Sequence, residues 1–307
     1  MTARPPDPAA RGQRRRALLL VNRHAGRGDA SLADAEEVLR AAGMAVETLA
    51  FRKKHPIPEA IRSRAREVDC VIVGGGDGTL HTAAAAVLES GLPLGILPLG
   101  TVNDLARTLG IDTDPVSAVQ VIAAGAVRRL DLGEVNGHLF WNVASIGPGP
   151  ELAENVPTPL KAWLGPLAYA VASVGLLRRL RPFAADLIHA GRHEHVRSLQ
   201  VSVGNGRRHG GGMTVAATAE PDDGLLHVYS LELRHWWRLP FLLPALRRGD
   251  QANWRGVRSF ACGDLRISTR EPMPVIADGA PAATTPATFR VRPQAVTVYT
   301  PETRGTS

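Results

Sequence analysis

The chain has 307 residues, 44% hydrophobic and 21% charged, a balance that excludes a disordered or fibrous polypeptide and a length that favours two domains over one core. Two cysteines, Cys70 and Cys262, without CxxC spacing, exclude a disulfide framework and a thiolate metal site, and point to a reducing, cytoplasmic compartment. The net charge of +7 asks for an anionic partner, whether nucleic acid, nucleotide or membrane surface, and does not choose among them.

In chain order, Arg11, Arg14, Arg15 and Arg16 precede an apolar run over 17–21 that is too short for the core of a signal peptide and reads as a buried first strand. The arginines read either as a solvated tail or as a contact with anionic lipid. Helical periodicity over 31–42, a strand over 45–51, a helix over 58–66, a strand over 70–73, a helix over 80–89 and a strand over 94–98 follow. Strands alternating with helices build a parallel sheet covered on both faces, with ligands at the carboxyl ends of its strands.

Past Asp131 the pattern changes to closely spaced β runs at 131–135, 139–143, 185–189, 198–203, 225–231 and 297–300, with Asn136-Gly137 as a hairpin turn signal. An apolar helical insert is expected over 160–180; its longest apolar stretch, 163–177, is broken by Gly165, Pro166 and Gly175 and falls short of a bilayer span. The expected fold class is α/β, with an N-terminal doubly wound domain over 15–134, to which 293–307 returns, and a C-terminal, mainly antiparallel β domain over 135–292.

Two strand ends carry chemistry. In Val73-Gly74-Gly75-Gly76-Asp77-Gly78-Thr79 a buried strand runs into glycines, a carboxylate and a hydroxyl, and then into an alanine-rich helix. Glycines let backbone N–H groups approach phosphate oxygens, and the helix N-terminus adds its positive dipole end. Neither a P-loop nor a dinucleotide fingerprint is present. In Leu99-Gly100-Thr101-Val102-Asn103-Asp104 a second strand leads through Gly-Thr into a helix that Asn103 or Asp104 would cap. A third carboxylate, Asp131, ends the run over 127–130. Three carboxylates converging near bound phosphates are a way to hold Mg²⁺, directly or through its waters.

The motif GGDGT at Gly75 to Thr79 with GTxNDxAR at Gly100 to Arg107 resembles the diacylglycerol kinase catalytic domain family, which includes the sphingosine and ceramide kinases. GGDGT alone is less specific, because NAD kinases and phosphofructokinases carry related turns. The resemblance continues through Asp131-Leu132-Gly133, Phe140 to Gly147, Lys161 to Tyr169, Asn205-Gly206 with Gly211-Gly212-Met213, Asp222-Asp223-Gly224 and Asp278-Gly279. It implies an NAD kinase/diacylglycerol kinase-like fold and an ATP- and Mg²⁺-dependent lipid kinase. It places the nucleotide on Gly75, Gly76, Asp77, Gly78, Thr79, Gly100, Thr101, Asn103 and the loop bearing Asn22, Arg23 and Gly26. It also implies a carboxylate network of Asp77, Asp104 and Asp131 around catalytic Mg²⁺. A second, structural Mg²⁺ would sit near Asp222 and Asp223, which an ordinary surface turn explains equally well.

Two positions depart from the family pattern. Asn22-Arg23 replaces the usual Asn-Pro, adding a charge beside the expected nucleotide. Ala280 stands where the family's Asp-Gly-Glu supplies a glutamate as general base, so Asp278, another carboxylate or a water would stand in, or the chain binds nucleotide or lipid with weak turnover or none. The segment over 235–248 combines Trp236, Trp237 and Phe241 with flanking arginines and reads either as a membrane-interface element or as a helix packed on the second domain. His193 and His195 lack an evident acidic partner and read as surface. The expected partner is a lipid substrate at the inner face of the membrane, to which a cytoplasmic protein would attach peripherally; nucleic acid is not expected, and a homodimer is left open.

Overall fold

The computed structural model describes residues 14–22, 29–51, 57–147, 181–206, 208–209, 213–214, 219–233, 238–248, 250 and 253–302. Arg23, Gly26, the expected insert over 160–180, and Trp236 and Trp237 lie outside the described residues. Two compact units share the chain, Met1–Asp131 with Gln294–Ser307, and Leu132–Pro293. From sequence, the crossings were expected at 134/135 and 292/293.

In the first unit β1 (Arg16–Asn22), β2 (Ala45–Phe51), β3 (Cys70–Gly75) and β4 (Leu94–Pro98) form a parallel sheet in the order β2-β1-β3-β4. The closing strand of the chain extends it, with Val298 paired to Leu94. Every residue of β3 and β4 is buried, which a strand covered on both faces requires, whereas β2 is partly exposed along most of its length, as befits an edge. Helices α1 (Asp29–Ala41), α2 (Ile57–Arg64), α3 (Asp77–Ser90), α4 (Asp104–Thr108) and α5 (Pro115–Ala124) link the strands. The α3 face toward the sheet is built from Ala83, Ala84, Ala86 and Val87, all buried, and small side chains let the helix lie close. That helix starts at Asp77, inside the glycine motif. Apolar periodicity resumes only at Leu80, so the sequence pattern missed its first turn.

The chain runs from β1 out to β2 and then crosses to the other side of β1 for β3, so the strand order reverses between β1 and β3. Open α/β sheets bind ligands outside the carboxyl ends of their strands at such a reversal. Register pairs Val21 with Gly74 and Gly75 with Pro98, so Asn22, Gly75 and Pro98 end their strands side by side.

The second unit takes over within β5 (Val127–Val135) and continues through β6 (His138–Phe140), β7 (Val143–Ile146), β8 (Phe183–His189), β9 (Arg192–Ser198), β10 (Val201–Gly204), β11 (Arg208–His209), β12 (Met213–Thr214) and β13 (Leu226–Leu231). Helix α6 (Leu239–Arg248), β14 (Val257–Cys262), β15 (Asp264–Thr269), β16 (Pro274–Ala277), β17 (Ala280–Thr284) and the first part of β18 (Ala287–Tyr299) complete it. Strands β14-β13-β10-β7-β16-β17 make one antiparallel sheet. A second runs β6-β5-β18-β15-β8-β9. Inward residues of both, among them Phe140, Ile146, Leu187, Val203, Val228, Ile267, Val275 and Phe289, form one apolar core.

Asn136 and Gly137 make the β5–β6 turn with φ of 47° and 90°, the positive pair that a two-residue hairpin favours. Strand β9 was not anticipated. Its sequence, RHEHVRS, is polar except at Val196, and it exists because β8 offers a hairpin partner. That pairing corrects the reading of the histidines. Asp186 stands opposite His195 and lies 3.0 Å from its Nδ1 and 3.3 Å from Nε2 of His193. The His195 hydrogen bond, followed by that of His193, holds the Asp186 carboxyl below the usual carboxylate range. Both histidines remain on the surface.

Candidate active site

The site is assembled from two loops that meet backbone to backbone. A Cβ on Gly100 would lie 2.5 Å from the Gly76 Cα and 2.7 Å from Asn103 Oδ1, and one on Gly76 would lie 3.2 Å from the Gly100 Cα. Only residues without a side chain can cross this closely. A Cβ on Gly75 would overlap the Thr79 side chain. Gly76 and Gly100 thus serve loop-to-loop packing, a use that the sequence reading did not give them. Gly78 is different: it is exposed and nothing lies within 4 Å of where its Cβ would stand.

Asp77 joins the two loops. Its carboxylate accepts from the N–H of Asp104 at 3.0 Å and of Leu105 at 3.2 Å, capping α4 from a position 27 residues earlier in the chain. A carboxylate at a helix N-terminus satisfies donors that the helix cannot and meets the positive end of its dipole. Asn103, buried and left-handed with φ 54°, makes no cap hydrogen bond, contrary to the expected capping role. Its amide instead staples its own loop, with Oδ1 accepting from the Gly100 N–H at 3.0 Å and Nδ2 donating to the Gly100 carbonyl at 2.8 Å. Asp104 is buried in the first turn of α4. Arg107 Nε donates to the Val102 carbonyl at 2.9 Å and braces the same loop; it stands in the GTxNDxAR motif but was not singled out from sequence. Thr101 is exposed on the loop crest.

At the start of α3 the N-cap Gly76 has no side chain and so supplies no side-chain cap hydrogen bond. The N–H groups of Asp77 and Gly78 open that helix ahead of its first internal bonds, which run from Thr79 and Leu80 to the Gly76 carbonyl. Donors of this kind, beneath the open space over Gly78, fit an anion such as a nucleotide phosphate.

Asp131, the third expected carboxylate, is buried at the end of the first unit's opening segment. It accepts from the Gln294 N–H at 2.6 Å, and Arg129 Nε donates to the Gln294 carbonyl at 3.2 Å, so both fasten the returning chain where Gln294 takes φ 48°. Among the described residues no three His, Cys, Asp or Glu side chains form a group able to hold a metal ion. A direct cage of Asp77, Asp104 and Asp131 is therefore not what the structure builds. Each Asp77 oxygen accepts one N–H and retains a second acceptor direction, which fits contact with a cation through its water shell.

In the second unit several motif residues gather at one end of the six-stranded sheet, where β7 begins and β10 and β16 end. Asp278 and Gly279, with φ 46° and 82°, form the β16–β17 turn. The Asp278 carboxylate accepts from three consecutive N–H groups, Trp141 at 2.7 Å, Asn142 at 3.0 Å and Val143 at 3.2 Å. That engagement makes it an anchor for the start of β7 and leaves it a poor stand-in for a proton acceptor. Asn205 adds a bond from its Nδ2 to the Trp141 carbonyl at 3.2 Å. Asn142 and Asn205, both buried, were quoted from sequence within motifs but not nominated as site residues; burial of two amides beside the Asp278 turn is visible only in the fold.

Asp223 closes a turn, accepting from the N–H of Glu220 at 3.1 Å and of Leu225 at 2.9 Å, with His227 Nε2 at 2.7 Å.

Residues 16–135 match the diacylglycerol kinase catalytic domain, and residues 148–300 match the YegS C-terminal NAD kinase beta sandwich-like domain. A Pseudomonas fluorescens (strain Pf-5) protein named "Probable lipid kinase YegS-like" is 34% identical over 238 residues, which cover 76% of this chain and 77% of that protein. The chain belongs to the diacylglycerol kinase family. A diacylglycerol kinase of Staphylococcus saprophyticus is 28% identical over 293 residues, covering 94% and 96% of the two chains. A crystal structure from Bacillus anthracis str. Sterne, assigned to the diacylglycerol kinases, superposes with a TM-score of 0.81 at 25% identity, covering 94% of this chain and 96% of that one. The chain that superposes in this way is an α/β unit followed by an antiparallel β unit. No helix among the described residues is long and apolar enough to cross a membrane.

Proposed function

We propose that this family member is an ATP- and Mg²⁺-dependent kinase whose acceptor is the hydroxyl of a diacylglycerol-like or related lipid. Membership of the diacylglycerol kinase family, with relatives named lipid kinase and diacylglycerol kinase, supports the kinase class. One observation carries the nucleotide site: Asp77 ties both glycine loops together while the first turn of α3 stays uncapped and open above Gly78.

When bound, ATP supplies the phosphoryl group and Mg²⁺ neutralises charge as it transfers. The chain's own residues do the positioning. The N–H groups of Asp77 and Gly78 receive phosphate oxygens, Thr101 offers an exposed hydroxyl beside them, and the Asp77, Asn103 and Arg107 bonds hold the loops in shape before substrate arrives. Donors fixed in advance need no reorganisation during reaction.

For the acceptor proton the chain is poorly equipped. Ala280 carries no proton acceptor, and the Asp278 oxygens serve three backbone donors. This favours a second reading, a member of weak or absent turnover that binds nucleotide or lipid. A missing base costs about 10² to 10⁴ in rate, so a slow kinase stays within reach.

Purified protein incubated with Mg²⁺, labelled ATP and a panel of lipid extracts, beside an Asp77→Ala variant, tests the first reading. An Asp77-dependent phospholipid product is expected, and its absence from every extract refutes the kinase. A gain of about 10²-fold or more in Ala280→Glu is expected where the base alone limits the rate.

A further inference from the structure

Helix α6 lies on the second unit with one face buried and one face exposed. Leu242 and Ala245 are buried in a small apolar cluster with Leu199, Tyr229, Leu231 and Leu233. Exposed to the outside are Arg238, which immediately precedes the helix, and Phe241, Pro244 and Arg248 within it, the last two about one and two turns beyond Phe241. Phe241 is 65% exposed, while the other exposed large apolar residues among those described, Val102, Val127, Ile188 and Leu225, range from 38% to 48%. An aromatic ring left this open loses the gain of burial. Its flanks are cationic. Arg238 has no acidic partner among the described residues, and Arg248 meets only Asp250, an exposed pair that water screens.

From this alternation of one bare ring between two guanidinium groups we infer that α6 is the element that docks the protein on an anionic bilayer, with Phe241 entering the headgroup layer and Arg238 and Arg248 meeting lipid phosphates. Charge complementarity selects this occupant. A protein partner would cover Phe241 with apolar surface and would have no use for exposed guanidinium groups beside it, whereas a membrane interface takes an aromatic ring and cationic rim together. Leu242 and Ala245 fix the rotation of the helix, so the exposed face is set by packing within the unit and does not depend on lipid being present. The inference rests on the lipid kinase reading for its purpose, since an enzyme acting on a membrane-dissolved hydroxyl must reach the surface that holds it.

Sedimentation of the full chain with phosphatidylglycerol–phosphatidylcholine vesicles and with pure phosphatidylcholine vesicles, without ATP, tests it. Phe241→Ser is expected to weaken binding to the anionic vesicles by about tenfold. Arg238→Gln with Arg248→Gln is expected to weaken it by a similar factor, and to do so only where the vesicles carry anionic lipid. Phe241→Trp is expected to keep wild-type binding and to show an added blue shift of tryptophan emission on mixing with vesicles. Wild-type sedimentation of Phe241→Ser and of the double arginine variant overturns the assignment, as does an unshifted Phe241→Trp spectrum or concentration-dependent self-association that Phe241→Ser abolishes while vesicle binding is absent. Failure of the kinase reading leaves a different mark, the absence of phosphorylated lipid from the wild type in detergent micelles while vesicle sedimentation is unchanged.

Discussion

Replacing Gly78 with alanine adds one methyl group above the first turn of α3. The added carbon meets nothing within 4 Å, and Gly78 sits inside a helix, with no left-handed torsion to strain a side chain. Alanine in a helix is favoured over glycine by about 0.5 to 1 kcal/mol, so the variant should gain stability, raising the melting temperature by about 1 to 4 °C for a chain of this size. The same methyl fills the space assigned to nucleotide phosphate. Titration calorimetry with ATP is therefore expected to show affinity reduced about tenfold or more, equivalent to about 1.4 kcal/mol, in a protein that melts at or above the wild-type temperature. Gly100→Ala is the counter-case. Its Cβ would stand 2.5 Å from the Gly76 Cα, a backbone atom that cannot swing aside, and overpacking of this kind costs about 1 to 3 kcal/mol. It should lose stability and nucleotide affinity together. A Gly78→Ala protein that is stable and binds ATP as the wild type does would refute the placement of phosphate at the start of α3.

Asp77→Asn keeps the shape of the linking side chain but offers one acceptor oxygen to the two N–H groups of Asp104 and Leu105 and removes the charge at α4. Chemical denaturation should show a loss of about 1 to 3 kcal/mol, and an unchanged midpoint would remove Asp77 from its linking role. Asp278→Ala strands three N–H groups, two of them on the buried residues Trp141 and Asn142, and should cost about 3 kcal/mol or more; a cost below about 1 kcal/mol would contradict the anchor role. Burial pushes the Cys70 thiol up to about 11 and the Cys262 thiol up to about 12, so neither should react with Ellman's reagent in the native protein near pH 8, and both should after unfolding. Because the folded values lie above the ordinary thiol value of 9.0, the neutral thiols contribute stability that is complete below about pH 9 and is lost as pH rises through the folded values. Denaturation midpoints that hold steady from pH 8 to 11 would speak against that burial.

Local features of the sequence were enough for the frame. The uninterrupted apolar runs Cys70-Val71-Ile72-Val73 and Leu94-Gly95-Ile96-Leu97 can only be central strands, since nothing else hides every side chain of a short extended segment. Asn136-Gly137 specifies its own turn, because both residues tolerate positive φ. The two glycine-acid loops fall at strand ends because each lies directly after an apolar run. These signals depend on neighbours within a few residues, so they are readable without a fold.

The partners of the carboxylates are not readable that way. Asp77 reaches donors 27 residues on, Asp131 reaches Gln294 across 163 residues, and Asp278 reaches back more than a hundred residues to Trp141. A carboxylate accepts whatever donors the fold delivers, and the same Asp can hold a cation, cap a helix or anchor a turn. The crossing of Gly76 over Gly100 has the same origin, since it requires the ends of two different strands to lie side by side. The sequence by itself therefore determined which residues stand at the strand ends, and only the tertiary structure decided what each of them holds.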